Sequence, residues 1–512
     1  MKNSYLFANI ALLPFVFSQA AQSQNIEKPN VILIYADDMG MGMLSCMGQH
    51  EFKTPHIDKL FERGTQFNHT YACMVSAASR ASLLTGYYDI RKEKVNISNG
   101  GALLFDPRTM DKKTIEQVEN KIVQHDVMLP SGDYYLPQIF QQAGYITAQI
   151  GKLEYGWTAT RQQLKQHGWD HYYGYLDHVG CHGYYPPYLF EDGKIVRIKG
   201  NTRKNCGKTL EPETEKAFTD RWNMEGKKVY SQDLFDKKIK QFIRKNKKRP
   251  FFLYHPTLLP HGPVMIPSVH PSVKDNPRLT QIEKEYASMV IRLDSVVGMI
   301  VKELKEQKID KRTLIVFASD NGHEIYYAQK GRVQKPFGRY NDWTTSYYSD
   351  THGDVFNGNA GMRGFKRLNT DGGIRVPMVA YAPGIIPEAV QCNEFVSICD
   401  LIPTFAEMLN VPLSDQHKKD GVSIWKTLMN GEKLPEDRYI VYSSYQGPAL
   451  VTNKGIKVRY NTFAKDFAMH NVIDDPQERK DISKQYPEEF EKLKDLLIKE
   501  CKGDINNGIC QY

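Results

Sequence analysis

The chain has 512 residues, 41% hydrophobic and 25% charged, with 37 Gly and 26 Pro. These values exclude collagen-like, coiled-coil and largely disordered classes, and the length allows either several domains or one large α/β core with an appendage. The formal charge of +8 is a small excess of 67 basic over 59 acidic side chains, which supports no nucleic-acid groove but suits an anionic substrate.

Residues 1–23 read as a secretory leader. Lys2 is its basic start, Tyr5–Phe17 a short apolar stretch interrupted by Asn9 and Pro14, and Ser18, Ala20, Ala21 and Ser23 offer small residues for cleavage. That stretch is too short to span a bilayer, and no later one is long enough. No cysteine near the cleavage region offers a lipid attachment point. The expectation is a periplasmic or secreted protein without a membrane anchor.

Asn30–Ala36 is an apolar run rich in β-branched residues, which predicts a strand buried on both faces. It ends in Asp37-Asp38-Met39-Gly40. Small residues from Ser76 onward, then Arg80 and an apolar stretch, predict a nucleophile at a helix start, where backbone N–H groups favour an anion. The densest basic run, Arg244–Arg249, lies between a helical pattern and a strand and reads as a solvated loop. Similar strand runs recur at Phe251–Tyr254, Thr313–Ala318 and Pro377–Ala382. Ile282–Lys305 carries Met289, Leu293, Val296, Val297, Ile300 and Leu304 at helical spacing. The Thr313 run ends in Ser319-Asp320-Asn321-Gly322. From His323 to Gly361 the chain is polar and aromatic with little periodicity, a loop length that usually marks function.

Strands alternating with helices predict an α/β fold with a mostly parallel central sheet and ligands at the carboxyl ends of its strands. Near the C-terminus, Tyr439–Ser443, Ala449–Thr452 and Ile456–Tyr460 read as short antiparallel strands. A closing helix follows, with Phe490, Leu493, Leu496 and Leu497 on its apolar face. The expected division is a leader over 1–23, a catalytic α/β domain over 24–415 and a small α+β subdomain over 416–512. Of the eight cysteines, Cys501 and Cys510 either close a short loop or stay as buried thiols; no Cys/His metal spacing occurs.

Asp37, Asp38 and Asp320 at one sheet edge repel one another unless a cation joins them. Oxygen ligands, with the Asn321 carbonyl as a fourth, suit Ca²⁺ or Mg²⁺ rather than zinc. Taken singly, each acidic pair is also a good turn sequence.

The stretch Ser76-Ala77-Ala78-Ser79-Arg80-Ala81-Ser82-Leu83-Leu84-Thr85-Gly86 resembles the signature of type I sulfatases, S/C-x-P/A-S-R-x-x-L-x-T-G. Further motifs follow in family order. Gly151-Lys152 resembles the GK motif and Pro260-His261-Gly262-Pro263 the PHxP motif. Gly364-Phe365-Lys366 with Asp371-Gly372-Gly373-Ile374-Arg375-Val376-Pro377 resembles GxK…EGGxRVP. Asp475-Pro476-Gln477-Glu478 resembles DPxE. The resemblance spans roughly residues 29–500 and implies an alkaline-phosphatase-like sandwich.

It also implies that Ser76 is converted to formylglycine by a separate generating enzyme. Ser76, beside Asp37, Asp38, Asp320 and Asn321, would then belong to the Ca²⁺ or Mg²⁺ site. In its hydrated form one hydroxyl attacks sulfur and the other expels sulfate. Arg80, Lys152 and Lys366 neutralise charge, and His261 protonates the departing sugar oxygen. His178 is expected to touch the substrate, and His182 either touches it or packs. His323 meets either sulfate or the metal's surroundings. Arg339, with Arg332, Asp342, Trp343, Tyr347, Tyr348 and His352, belongs to a segment that is either a sugar-binding insert or a solvated loop.

The sequence departs from the family at Glu154, where many members have the His of GKxH, and at Asp371, usually Glu. The base that releases sulfate is therefore unassigned. The implied activity is hydrolysis of sulfate esters on glycans, exo-acting on Gal, GalNAc or GlcNAc units. A phosphohydrolase using unmodified Ser76, and a silent glycan-binding protein supported only by Glu154, are the competing readings.

Overall fold

In chain order the strands are β1 (Asn30–Ala36), β2 (Thr65–Tyr71), β3 (Ile146–Gly151), β4 (His171–Gly174), β5 (Tyr188–Glu191), β6 (Lys194–Arg197), β7 (Phe251–Pro256), β8 (Thr313–Ser319), β9 (Arg375–Tyr381), β10 (Val390–Ser397), β11 (Tyr439–Tyr442), β12 (Ala449–Thr452), β13 (Ile456–Asn461) and β14 (Asp466–Asn471). They come from a computed structural model that describes residues 28–94, 113, 116, 117, 120, 129–154, 160–178, 180–209, 215–327 and 354–510. The leader expected over 1–23 lies outside them.

The first ten strands form one sheet in the order β10-β2-β9-β8-β1-β7-β3-β4-β5-β6. At its centre β8, β1, β7, β3 and β4 are parallel neighbours. All seven residues of β1 are buried, because strands flank it on both sides and helices cover the sheet. The apolar run at β9 is antiparallel to both neighbours, β2 and β8. A run buried on both faces reads the same in either direction, so its orientation was invisible in the sequence. β11 to β14 form a separate four-stranded antiparallel sheet.

The long helix Gln281–Glu306 starts at Thr280, whose N–H donates to Glu283 Oε2 at 2.7 Å in a capping box. Met289, Leu293, Val296, Val297, Ile300 and Leu304 are all buried along it. The basic run is not wholly a loop: Arg244 and Lys245 end the Ser231–Asn246 helix, where positive charge offsets the helix dipole, and Arg244 pairs with Glu303 at 2.8 Å. In the closing helix, Pro487–Glu500, Leu493 and Leu497 are buried while Phe490 and Leu496 are half-buried. All eight cysteines are free thiols, Cys501 and Cys510 included. No helix among the described residues is long and apolar enough to cross a membrane.

One buried ion cluster fastens the small sheet to the large one. Lys457 of β13, wholly buried, reaches Asp371 Oδ1 at 2.9 Å and Glu478 Oε1 at 3.0 Å. Glu478 also accepts the Asp371 backbone N–H at 2.7 Å, and the Tyr71 hydroxyl donates to Asp371 at 3.0 Å. Asp371 and Glu478, from two motifs far apart in sequence, thus share one lysine. Lys457→Met leaves both carboxylates buried without it, an expected loss of about 3–5 kcal/mol. Denaturant unfolding checks this; an unchanged midpoint refutes it.

Candidate active site

The register Ala36↔Ser319 ends β1 and β8 side by side. Asp37 and Asp38 therefore leave the sheet next to Asp320 and Asn321, and all four are fully buried. Asp38 N–H donates to Asp320 Oδ1 at 2.9 Å, Met39 N–H to Ser319 Oγ at 3.0 Å, and Asn321 Nδ2 to Asp38 Oδ1 at 2.7 Å. Asp38 sits at φ 61°, a left-handed conformation that Asp tolerates better than most residues. Gly40 has no alternative, since a Cβ there would lie 2.2 Å from the Gly358 carbonyl oxygen.

Ser76 opens the Ser76–Thr85 helix, which is buried over all ten residues. Its small side chains permit that burial, and Gly86 ends it at φ 75° with an N–H bond to Ser82 O of 2.8 Å. Val75 precedes it in extended conformation and supplies no side-chain cap, so first-turn N–H groups remain available to an anion. Ser76 Oγ donates to Asp37 Oδ1 at 2.7 Å.

Three cations from three other parts of the chain close on the carboxylates. Arg80, one turn along the helix, reaches Asp320 Oδ2 at 2.9 Å and Asp37 Oδ1 at 3.6 Å. Lys152 follows β3 and reaches Asp37 Oδ2 at 2.5 Å. Gly151 sets its course, because its φ of 147° and a would-be Cβ 2.1 Å from Pro256 O exclude a side chain. Lys366 reaches Asp38 Oδ2 at 2.7 Å, with its N–H on His323 O at 2.9 Å. Tyr326, which no sequence pattern singled out, also donates its hydroxyl to Asp38.

Burial raises the Asp38 pKa, but Lys366 and His261 outweigh it and bring the value to about 2. Asp37 is likewise lowered despite burial, by Lys152, His261 and Arg80. Asp320 goes the other way: burial and then the Asp37 charge push it up to about 7, against Arg80. Three carboxylates in one dry site do not all ionise readily with these cations alone. The Asn321 Oδ1 is buried without a hydrogen-bond partner among the described residues. An orphaned carbonyl oxygen beside three carboxylates is a donor set that fits a hard divalent cation.

A cavity of about 320 Å³ opens above Ser76, lined by His178, His182, His261, Tyr326 and Lys366 among others. His182 stacks on His261 at 4.2 Å between ring centres, and His178 meets His182 edge-on at 4.3 Å. His261 binds the Gly262 carbonyl through Nδ1 and turns Nε2 to within 3.4 Å of Asp38. Burial lowers its pKa to about 4 against the pull of Asp38 and Asp37. Burial, then Lys152 and His261, bring His178 to about 2 and burial with His261 lowers His182 as well, so both rings are neutral. The His182 Nε2 is buried without a partner among the described residues.

His323 is buried and not among the pocket's lining residues, with Nε2 2.8 Å from the Tyr327 hydroxyl. Arg339 falls outside the described residues, with Arg332, Asp342, Trp343, Tyr347, Tyr348 and His352. Glu154 does not line the pocket. It accepts Trp169 Nε1 at 2.5 Å and bonds His167 Nδ1, so this carboxylate braces the core and does not face a sulfate.

The sulfatase family model matches residues 29–411. An N-acetylgalactosamine-6-O-sulfatase of Bacteroides thetaiotaomicron is 24% identical, covering 94% of each chain. Arylsulfatase G of Rattus norvegicus is 28% identical over 81% of this chain and 72% of that protein. The solved structure of Ps i-CgsB in complex with k-i-k-neocarrahexaose shares the fold, with TM-score 0.67, 24% identity and 93% coverage of both chains.

Two measurements check this geometry. Ca²⁺ at a hundredfold over its dissociation constant should stabilise the EDTA-treated protein by about 2.7 kcal/mol. Asn321→Leu should remove most of that gain, and a melting curve indifferent to Ca²⁺ refutes the site. Glu154→Gln should cost about 1–3 kcal/mol of stability yet leave turnover of an aryl sulfate nearly intact; loss of turnover in stably folded protein would place Glu154 in the chemistry.

Proposed function

The chain belongs to the sulfatase family and is a sulfuric ester hydrolase, and we propose that it is an exported enzyme acting on sulfated glycans through a formylglycine made from Ser76. The observation that carries this reading is the placement of Ser76. It stands at an uncapped helix start on the pocket floor, 2.7 Å from Asp37, inside a ring of Arg80, Lys152 and Lys366. The leader-like residues 1–23 support export. The relative named for N-acetylgalactosamine 6-sulfate supports a sulfated sugar, and a pocket suits one at a chain end.

Oxidation of Ser76, with two hydrogens passing to the acceptor of a separate maturation enzyme, yields an aldehyde whose hydrate supplies one hydroxyl to attack sulfur and another to release sulfate. Asp37, Asp38, Asp320 and Asn321 would hold a Ca²⁺ ion, or Mg²⁺ in its place, which would supply Lewis acidity to the reaction.

The remaining work falls to side chains. Lys152 and Lys366, sharing their carboxylate partners with that ion, turn part of their charge to the sulfate. The orphaned His182 Nε2 finds its partner in a sulfate oxygen, and His178 flanks it. His261 holds one proton on the Gly262 carbonyl and presents Nε2 to the pocket. A sulfate ester beside that nitrogen favours the charged ring, which can then protonate the departing sugar oxygen.

Tryptic peptide Gly64–Arg80 from the native host should be lighter by two hydrogens, with the loss at Ser76. Ser76→Ala should lower sulfate release from N-acetylgalactosamine 6-sulfate by about a thousandfold or more. An intact serine in active protein that releases phosphate in preference would overturn this reading in favour of a phosphohydrolase.

A further inference from the structure

Four cations line the pocket: Lys208, Arg221, Lys366 and Arg367. Three of them are matched by a carboxylate. Arg221 pairs with Glu285 at 2.8 Å, Lys366 with Asp38 at 2.7 Å, and Arg367 with Glu324. Among the described residues, no carboxylate lies within ion-pair distance of Lys208. Asp177 attracts it only from further off.

The residue is not a floppy surface lysine. It ends a turn that Asn205 fastens twice, accepting the Gly207 N–H at 3.2 Å and donating to the Lys208 carbonyl at 3.1 Å. Cys206 in that turn is buried and takes the Tyr185 N–H at 3.0 Å, which fixes the turn against the His182 loop. Lys208 itself is half-buried, and burial lowers its pKa below the usual lysine value. A desolvated ammonium without a counter-ion is costly, and an arriving anion recovers that cost. In the proposed function the reacting sulfate is already served by Ser76, His182, His261 and Lys366. Lys208 is therefore left for a different charge on the same ligand.

We propose that Lys208 is a specificity-determining residue that pairs with a second anionic group, a sulfate or a carboxylate, on the sulfated sugar. This rests on the reading of the pocket as a sulfated-sugar site. It predicts a doubly charged substrate in place of a singly sulfated one.

Calorimetry on full-length Ser76→Ala protein, which cannot turn the sugar over, tests it with three probes. These are N-acetylgalactosamine 6-sulfate, its 4,6-disulfate, and the uronate-containing disaccharide of the 6-sulfate. At least one doubly charged probe should bind about tenfold or more tighter than the singly charged one. The disulfate and uronate arms identify the anion. Adding Lys208→Ala should bring the affinities within about twofold of each other, and Lys208→Arg should keep the preference. A preference that survives Lys208→Ala, or none in either arm, overturns the proposal. If no probe binds, the sugar reading itself fails, and acetic anhydride footprinting decides: inorganic sulfate should protect Lys208, and equal labelling with and without sulfate refutes the second anion site.

Discussion

Three carboxylates forced into one dry place set the terms for this molecule. Asp37, Asp38 and Asp320 are there because β1 and β8 are parallel neighbours that end in register, and once there they are wholly buried. Burying like charges together is unaffordable without compensation. The chain supplies Arg80 from a helix, Lys152 from the end of β3 and Lys366 from a loop packed on His323. Much of the surrounding architecture serves to deliver these cations. The close approaches at Gly40 and Gly151 and the burial of the Ser76 helix each fix one arm of the cluster.

The same cations have a second use. With three carboxylates against three cations the cluster is near neutral, so a divalent ion would tip it positive and suit it to an anionic ester. Imidazoles line the same pocket, beginning at His261 within 3.4 Å of Asp38. His178 and His182 are held neutral by burial and by the neighbouring cations, so they can bond an oxyanion without adding charge.

Other charged residues in the motifs hold the structure and do not face the pocket. Asp371 and Glu478 spend their carboxylates on buried Lys457, which pins the small sheet to the large one. Glu154 spends its own on Trp169 and His167. Trp169 in turn stacks on Phe252 and Tyr254 of β7, and Asp170 holds the Thr147 N–H of β3 at 2.9 Å, so this segment braces two strands of the sheet.

The sequence by itself determined what local pattern can carry. The central strands β1, β7 and β8, the long amphipathic helix and the helix start at Ser76 were legible, because apolar periodicity and turn residues are local properties. So was the meeting of Asp37, Asp38 and Asp320 at one sheet edge, since strand ends are local features. The short strands β4, β5 and β6 and the fourth strand of the small sheet were not, because their alternation is too brief to stand out. Strand direction was also hidden, as β9 shows. Only the tertiary structure decided which way a side chain faces. It tied Glu154 to Trp169, joined His323 to Tyr327 and Tyr326 to Asp38, and set Lys208 in the pocket lining with no carboxylate in ion-pair reach among the described residues. Those outcomes depend on which partners the fold brings within hydrogen-bond or ion-pair reach, and sequence pattern does not choose among the partners, whether near in the chain, as Tyr327 is to His323, or far, as Asp38 is from Tyr326.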